Sequence, residues 1–407
     1  VTPMTSREAQ AHGNFASWSD HRVFMEEAFV RAIGEAGRVA RGADPEARAA
    51  FSGTQIPGPH NGTNWYEIDQ VADYLQPYSG GNQDSMHYLF NPRLRLTGFT
   101  GYGLIDSDAQ AQVWRRLFYG HSGASIFWHY TLLNPDLTFS RQGAALSKVF
   151  GNIQSGIGRI FMTSSVIEDG VAMHFSMASI RGAWITDGKI VDRVVSARRT
   201  SEALDELMKR RNKWVNELEK QGIQFRFLAT PQIEAGELGQ YKVLILPYSI
   251  ALSDREIAEI ERFASAGGRD YLDEQTGRMD ERLHWRSSQL WTDPKENFSR
   301  SGPEDLGVKR AIEIEGDSLT TVRRFGEARL IGLLPESSNI VQIPPSELYQ
   351  YDLLRGGLAA REVTASPEEP LLLLERERPI SAIEFRDDLT IRLVDDRGDP
   401  VDRSVVS

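Results

Sequence analysis

The chain contains no cysteine. That excludes disulfides, thiolate metal sites and a cysteine nucleophile together, and it leaves the compartment open. No apolar run of about 18 residues occurs either, so no membrane-spanning helix is expected. The opening residues, VTPMTSREAQAHGN, lack a basic start followed by an apolar run, and no signal peptide is expected in them. Positive charge is in deficit: 46 Lys and Arg stand against 57 Asp and Glu, a formal net charge of −11. Phosphate binding needs a concentrated basic surface, so a nucleic-acid partner is not expected. The most basic short stretch, KRRNK (209–213), falls inside a helical pattern and reads as a solvated helix face. The eight histidines are scattered, and the close pair His121 and His129 has no H-E-x-x-H pattern, so neither a metal nor another cofactor is expected. GFTGYG (98–103) has neither the glycine spacing nor the lysine of a phosphate-binding loop.

What is present is ordinary globular material. With 407 residues, 40% of them hydrophobic and 25% charged, the chain is long enough for two or three domains with sizeable cores. Residues 21–41 place Val23, Phe24, Phe29, Ile33 and Val39 near one face of an amphipathic helix. Four short apolar runs follow, AAFSGTQIPG (49–58), LQPYSGG (75–81), RLRLTGFTGYG (93–103) and ASIFWHYT (124–131), separated by helical patterns. Asn64 precedes one of those helices and Ser107 caps another, while GNQDSMHYLFNP (81–92) reads as a loop with one helical turn at most. Strand and helix in alternation predict a parallel sheet, whose functional residues gather where the strands end.

A second α/β segment begins near Val166. VAMHFS (171–176), IQFRFLA (223–229) and YKVLILPYS (241–249) read as strands, the last apolar enough to be buried on both faces. A helix over 201–221 buries Leu204, Leu207, Met208, Val215 and Leu218, and Ser253 with Glu256 forms a capping box at the start of another. Beyond Gly307 the helical period is lost. AIEIEG, ARLIGLLP, NIVQIPP, ELYQYDLL, LLLLERE, AIEFRD and LTIRLVDD read as strands of an all-β domain.

The series SGTQ (52–55), NWYEIDQVADYLQPY (64–78), FNPRLRLTGFTGYG (90–103), SIFWHYTLLNPDLTFS (125–140) and YKVLILPYSIALSDREIAEIERFASAGG (241–268) resembles the β-galactosidase-like glycoside hydrolases of family 42 and their relatives. The resemblance implies an α/β multidomain chain: residues 1–162 as the C-terminal half of a TIM-type (β/α)8 barrel, 163–306 as an amidotransferase-like, flavodoxin-like trimerisation domain, and 307–407 as a small β-sandwich-like domain. The first four barrel strands would then lie ahead of Val1. It further implies a retaining mechanism on β-linked glycosides and assembly as a homotrimer. The amidotransferase activity itself needs a cysteine, and the turn after VLILPYS offers only Tyr248 and Ser249, which reads as structural.

Retaining glycosidases use two carboxyl groups about 5–5.5 Å apart, one to protonate the leaving oxygen and one to attack the sugar. By the resemblance the acid/base would precede Val1, and the nucleophile would fall on the strand RLRLTGF, where this chain has Gly98, Phe99 and Thr100. Neither role can therefore be assigned. The nearest catalytic candidates are Asp84, with His87 three residues on, and Asp106; for Asp84 a solvated loop position is the simpler reading, and Asp106 and Asp108 flank Ser107 at a helix start, where favourable interaction with the helix dipole is the simpler reading. For substrate binding, Tyr78, Tyr102, Trp128 and Tyr130 fall at or after strand ends, where their rings can stack on the C–H faces of a sugar. Trp65 is weighted toward a core role because it begins a helix. Gln55 and Asn134 can supply directed hydrogen bonds. The competing reading is a catalytically silent carbohydrate-binding or scaffolding relative.

Overall fold

The structure is a computed structural model that describes residues 4–54, 56–78, 83–91, 94–100, 106–126, 132–187, 201–288, 290–291, 306–308, 318–343, 345–386 and 390–401. The chain divides into two compact units, each discontinuous in sequence. The first comprises Val1–Leu94, Asp169–Leu218 and Phe225–Lys309, and the second Arg95–Glu168, Glu219–Gln224 and Arg310–Ser407. In chain order the first unit opens with α1 (Ser6–His12), α2 (Ala16–Ala43), β1 (Ala50–Thr54), α3 (Trp65–Val71), β2 (Tyr74–Pro77) and α4 (Gln83–Phe90). The second contributes β3 (Arg95–Thr100), α5 (Asp106–Phe118), β4 (His121–Ile126) and β5 (Ser165–Val166). The first returns with β6 (Val171–Phe175), β7 (Phe225–Ala229), β8 (Val243–Leu246) and β9 (Arg269–Leu272). The second closes with the antiparallel strands from β10 (Ser318–Phe325) and β11 (Ala328–Pro335) onward.

In the first unit β1 runs parallel to β2, with Ala50 opposite Tyr74 and Ser52 opposite Gln76. Apolar positions alternate: Leu75 is buried while Gln76 is partly open, as expected of a strand covered by helices on one face. A separate all-parallel sheet has the order β7-β6-β8-β9. Its central strands read VAMHF and VLIL and are buried throughout, the run expected of a sheet covered on both faces. Phe90 of α4 meets Phe175 and Phe227 at ring-centroid distances of 4.9 and 5.7 Å. Those contacts, with Met86 and His87 fully enclosed, make Gln83–Phe90 a helix where the sequence reads as a loop.

The helix Asp254–Ser265 starts where the capping box predicts. Glu256 N–H donates to Ser253 Oγ at 3.0 Å, and Ser253 N–H to Glu256 Oε2 at 2.8 Å, so two otherwise orphaned donors are satisfied. The long α2 departs from expectation. Phe24 is 57% and Val39 58% exposed, and the side chains it buries include Trp18 and Glu26. Trp18 stacks on Trp184 at 5.6 Å, and Phe29 meets Phe51 edge-on at 5.4 Å, so this helix is held by a few specific contacts rather than by one apolar stripe.

In the second unit β3 runs parallel to β4, with Leu96 opposite His121 and Thr100 opposite Ile126. The apolar face of α5 (Val113, Trp114, Leu117, Phe118) shares a core with Leu319, Leu330, Leu372 and Leu374 of the antiparallel sheet. In that sheet β10 and β11 form an eight-pair hairpin from Ser318–Pro335 to Phe325–Ala328, turned at Gly326 with φ 58°. The strands ARLIGLLP, NIVQ, YQYD, LLLLER, AIEF and IRLV lie where the alternation predicts them. SLTTVRRF (Ser318–Phe325) and EVTA (Glu362–Ala365) are strands that the sequence reading passed over, and AIEIEG lies outside the described residues.

Candidate functional site

The carboxyl ends of β1 and β2 form a small built surface. The parallel register shifts between Ser52 and Thr54, so that Thr54 stands opposite Pro77. Gly53 has φ 72°, and a Cβ there would lie 3.1 Å from the ring of Tyr78. The left-handed backbone favours glycine here, and the nearby tyrosine ring leaves little room for a side chain. One residue before, exposed Ser52 donates its hydroxyl to Gln76 Oε1 at 2.8 Å. The surface thus carries an aromatic ring, a hydroxyl and an oriented amide side by side.

The other predicted site residues fall in different places. Gln55, Tyr102, Trp128 and Tyr130 lie outside the described residues. Asp84 is the second residue of α4 and Asp106 the first of α5, so each sits in the first turn of the helix that follows a strand end. Asp108 is exposed in the same turn as Asp106. His87 is fully buried, with Nδ1 2.8 Å from Asp69 Oδ1 and its ring 4.7 Å from that of Trp65, which is also fully buried. Burial raises the Asp69 carboxyl to about 6, against the opposing pull of His87. This trio packs α4 onto α3 one helical turn from Asp84. Asn134 is exposed, and its amide donates to Thr138 Oγ1 at 2.9 Å and the Phe139 carbonyl at 3.2 Å, closing its own turn.

Gly98 has a physical reason to be glycine. A Cβ there would stand 2.5 Å from Nε of Arg116, a side chain that is itself 1% exposed. No carboxylate fits at that position unless the buried guanidinium moves.

Two further groups of polar residues were not legible in the sequence. At the turn after β8, Ser249 Oγ lies 2.8 Å from His174 Nδ1, and His174 Nε2 lies 3.0 Å from Glu256 Oε1. Tyr248, just before the serine, has φ 52°. Ser249 therefore does have a histidine partner. Burial opposes ionisation of Glu256, yet the hydrogen bonds from His174 and Ser253 outweigh it and hold the carboxyl below its usual value. The His174 and Glu256 side chains are at most 1% exposed, so the trio ties β6, the turn and the following helix together rather than facing a substrate.

The second group lines a cleft of about 620 Å³ within the first unit, whose wall includes Glu26, Glu27, Glu67, Tyr66, Thr230 and Arg181. Burial raises Glu26 against the pull of its 2.6 Å partner Arg181, and burial with the neighbouring Glu27 raises Glu67. Among the described residues no group of three or more His, Asp or Glu side chains is placed to hold a metal ion, and no helix is long and apolar enough to cross a membrane.

No protein-family model and no curated protein matches the sequence. Solved structures do match the fold. The exo-carrageenase GH42 from Bacteroides ovatus aligns with a TM-score of 0.61 at 10% identity, over 88% of this chain and 56% of its own. The cold-adapted β-galactosidase from Rahnella gives 0.66 at 14% identity, over 89% and 68%. A catalytic mutant of a GH42 β-galactosidase from G. stearothermophilus gives 0.64 at 11%, over 90% and 68%. The chain has a partial β-galactosidase-like fold. It spans between 56% and 68% of the length of these three proteins. At such identities the likeness is one of architecture, namely an α/β chain with parallel-strand sheets.

Proposed function

We propose that this chain is part of a glycoside hydrolase-like protein that acts on β-linked glycosides with retention of configuration. The observation that supports the reading is the fold shared with GH42 β-galactosidases over about nine-tenths of the chain. In this reading residues 1–162 are the latter half of the catalytic barrel, 163–306 an amidotransferase-like trimerisation domain and 307–407 a β-sandwich-like domain, and the assembly is a homotrimer. The carbohydrate ring lies on Tyr78 at the end of β2, and Gln55, Tyr102, Trp128, Tyr130 and Asn134 remain the further substrate-binding candidates of the sequence.

Of the acidic candidates we take Asp84 as the carboxylate that this chain supplies. It stands in the first helical turn beyond β2, and the buried His87–Asp69 pair holds that helix one turn further along. In a retaining reaction such a group attacks the anomeric carbon while a second carboxyl protonates the leaving oxygen. Asp106 holds the corresponding place after β3 and is the control. The expected outcome is release of nitrophenolate from p-nitrophenyl β-galactoside, lowered at least a hundredfold in Asp84→Asn and little changed in Asp106→Asn. Unchanged turnover in Asp84→Asn would sink the assignment.

A second reading is a carbohydrate-binding relative without turnover. It is favoured by Gly98, where any side chain would have to displace the buried Arg116. Saccharide binding with no hydrolysis across a panel of aryl glycosides is its expected signature.

A further inference from the structure

We propose that the cleft bordered by Glu26, Glu27 and Glu67 is a binding site for a small primary ammonium ion carried on an apolar body. The site is separate from the glycoside reading. It lies among α2, α3 and the carboxyl ends of β6 and β7, and none of the sugar-contact or carboxylate candidates borders it.

The charge balance of the wall comes first. Five carboxyls, of Asp20, Glu26, Glu27, Glu67 and Glu281, face three guanidiniums, of Arg31, Arg181 and Arg282. Two of the guanidiniums are engaged, Arg282 with Asp20 and Arg181 with Glu26, each at 2.6 Å. Arg31 stands one helical turn beyond Glu27, yet neither Glu27 nor Glu67 forms an ion pair among the described residues. Negative charge is therefore left over on one side of the cleft.

A second, independent observation comes from the buried Glu26, which is only 5% exposed. Its Oε1 takes the Arg181 hydrogen bond, and Oε2 makes none among the described residues although Glu26 borders the cleft. A buried carboxylate oxygen without a donor is costly. Glu27 also repels both Glu26 and Glu67, and with burial it raises the Glu67 carboxyl. An incoming positive charge relieves all three at once.

The remaining wall sets the shape of the ligand. Phe175 and Met177 are buried and Val30 half-buried, an apolar surface beside the carboxyls. Among the described residues no three side chains converge as metal ligands, so the match is to an organic cation. An ammonium has three donors and no acceptor. Its head meets Glu26 Oε2, Glu27 and Glu67, and its hydrocarbon covers Val30, Phe175 and Met177.

The test uses the 407-residue chain and calorimetry with 2-phenylethylammonium, against 2-phenylethanol as a neutral probe of the same shape. The ammonium is expected to bind, and the alcohol at least about tenfold more weakly, the worth of a charge-assisted hydrogen bond. Glu67→Gln and Glu27→Gln keep size and remove charge, and each should weaken the ammonium about tenfold. Folding is not at stake in either. Glu27 is exposed, and at the start of α3 it is the Glu67 backbone N–H, not its carboxyl, that Asn64 caps. Unchanged thermal midpoints verify this. Failure of the wild-type chain to bind the ammonium, equal affinity for ammonium and alcohol, or undiminished affinity in both variants would each overturn the inference. None of these results touches the glycoside reading, which the aryl-galactoside assay decides.

Discussion

Single residues in this chain are governed by burial more than by their place in a pattern. The basic stretch KRRNK reads as a solvated face, yet Arg210 contacts Glu206, Asp273 and Glu274 at 2.9, 3.1 and 2.8 Å, and Arg211 is buried enough to be lowered to about 10. Glu219 gives the clearest consequence. It accepts a 2.7 Å hydrogen bond from Tyr119, but burial outweighs that bond and the nearby Arg115 and raises its carboxyl from 4.5 to about 7. A carboxyl raised on folding favours the folded state while it is protonated. Its contribution is complete below 4.5 and is lost as the pH rises through about 7. The gap between those values corresponds to about 3 kcal/mol. Measured against Glu219→Gln, which keeps an acceptor for Tyr119, the wild-type chain is therefore expected to lose stability in chemical denaturation as the pH rises from 4.5 through about 7. An unaltered slope in that variant would refute the assignment.

At the scale of elements, local signals succeeded where the chain answers its own backbone groups. The Ser253 capping box is such a case, since both reciprocal hydrogen bonds lie within three residues. Removing it by Ser253→Ala is expected to cost about 1 kcal/mol, read as a lower urea midpoint with an unchanged slope. A change below a few tenths of that would mean the helix is held by its buried Ile257, Ile260 and Phe263 alone. Local signals failed where distant partners decide. Residues 83–90 contain few strong helix formers, and enclosure of Met86, His87 and Phe90 makes them α4. The polar strand SLTTVRRF passes for a loop until eight residues of ARLIGLLP pair with it. In α2 the predicted apolar face is only partly used, because Trp18 and Trp184 fix the helix from elsewhere.

For the whole molecule, the proposed trimer is the property most open to direct measurement. Multi-angle light scattering on the 407-residue chain is expected to give three times 45.7 kDa, and a monomer mass at micromolar concentration would remove the trimerisation role from residues 163–306. The sequence by itself determined the class of the molecule: alternating helical and strand periods implied an α/β chain with parallel strands, and the strand-like runs after Gly307 implied an all-β region, whose antiparallel pairing only the structure showed. Those patterns survive because they reflect which face of each element meets water, a property written into every few residues. The order of weak segments, more than any one motif, also carried the resemblance that the solved structures bear out as a partial β-galactosidase-like fold. Tertiary structure alone decided what each candidate residue does. It enclosed His87 with Asp69, shut Ser249, His174 and Glu256 away from solvent, closed position 98 with Arg116, and set Ser52 across from Gln76. Such pairings join residues 18 to 82 positions apart, and no local period encodes them. They arise only when strand register and helix packing bring the side chains within hydrogen-bonding reach.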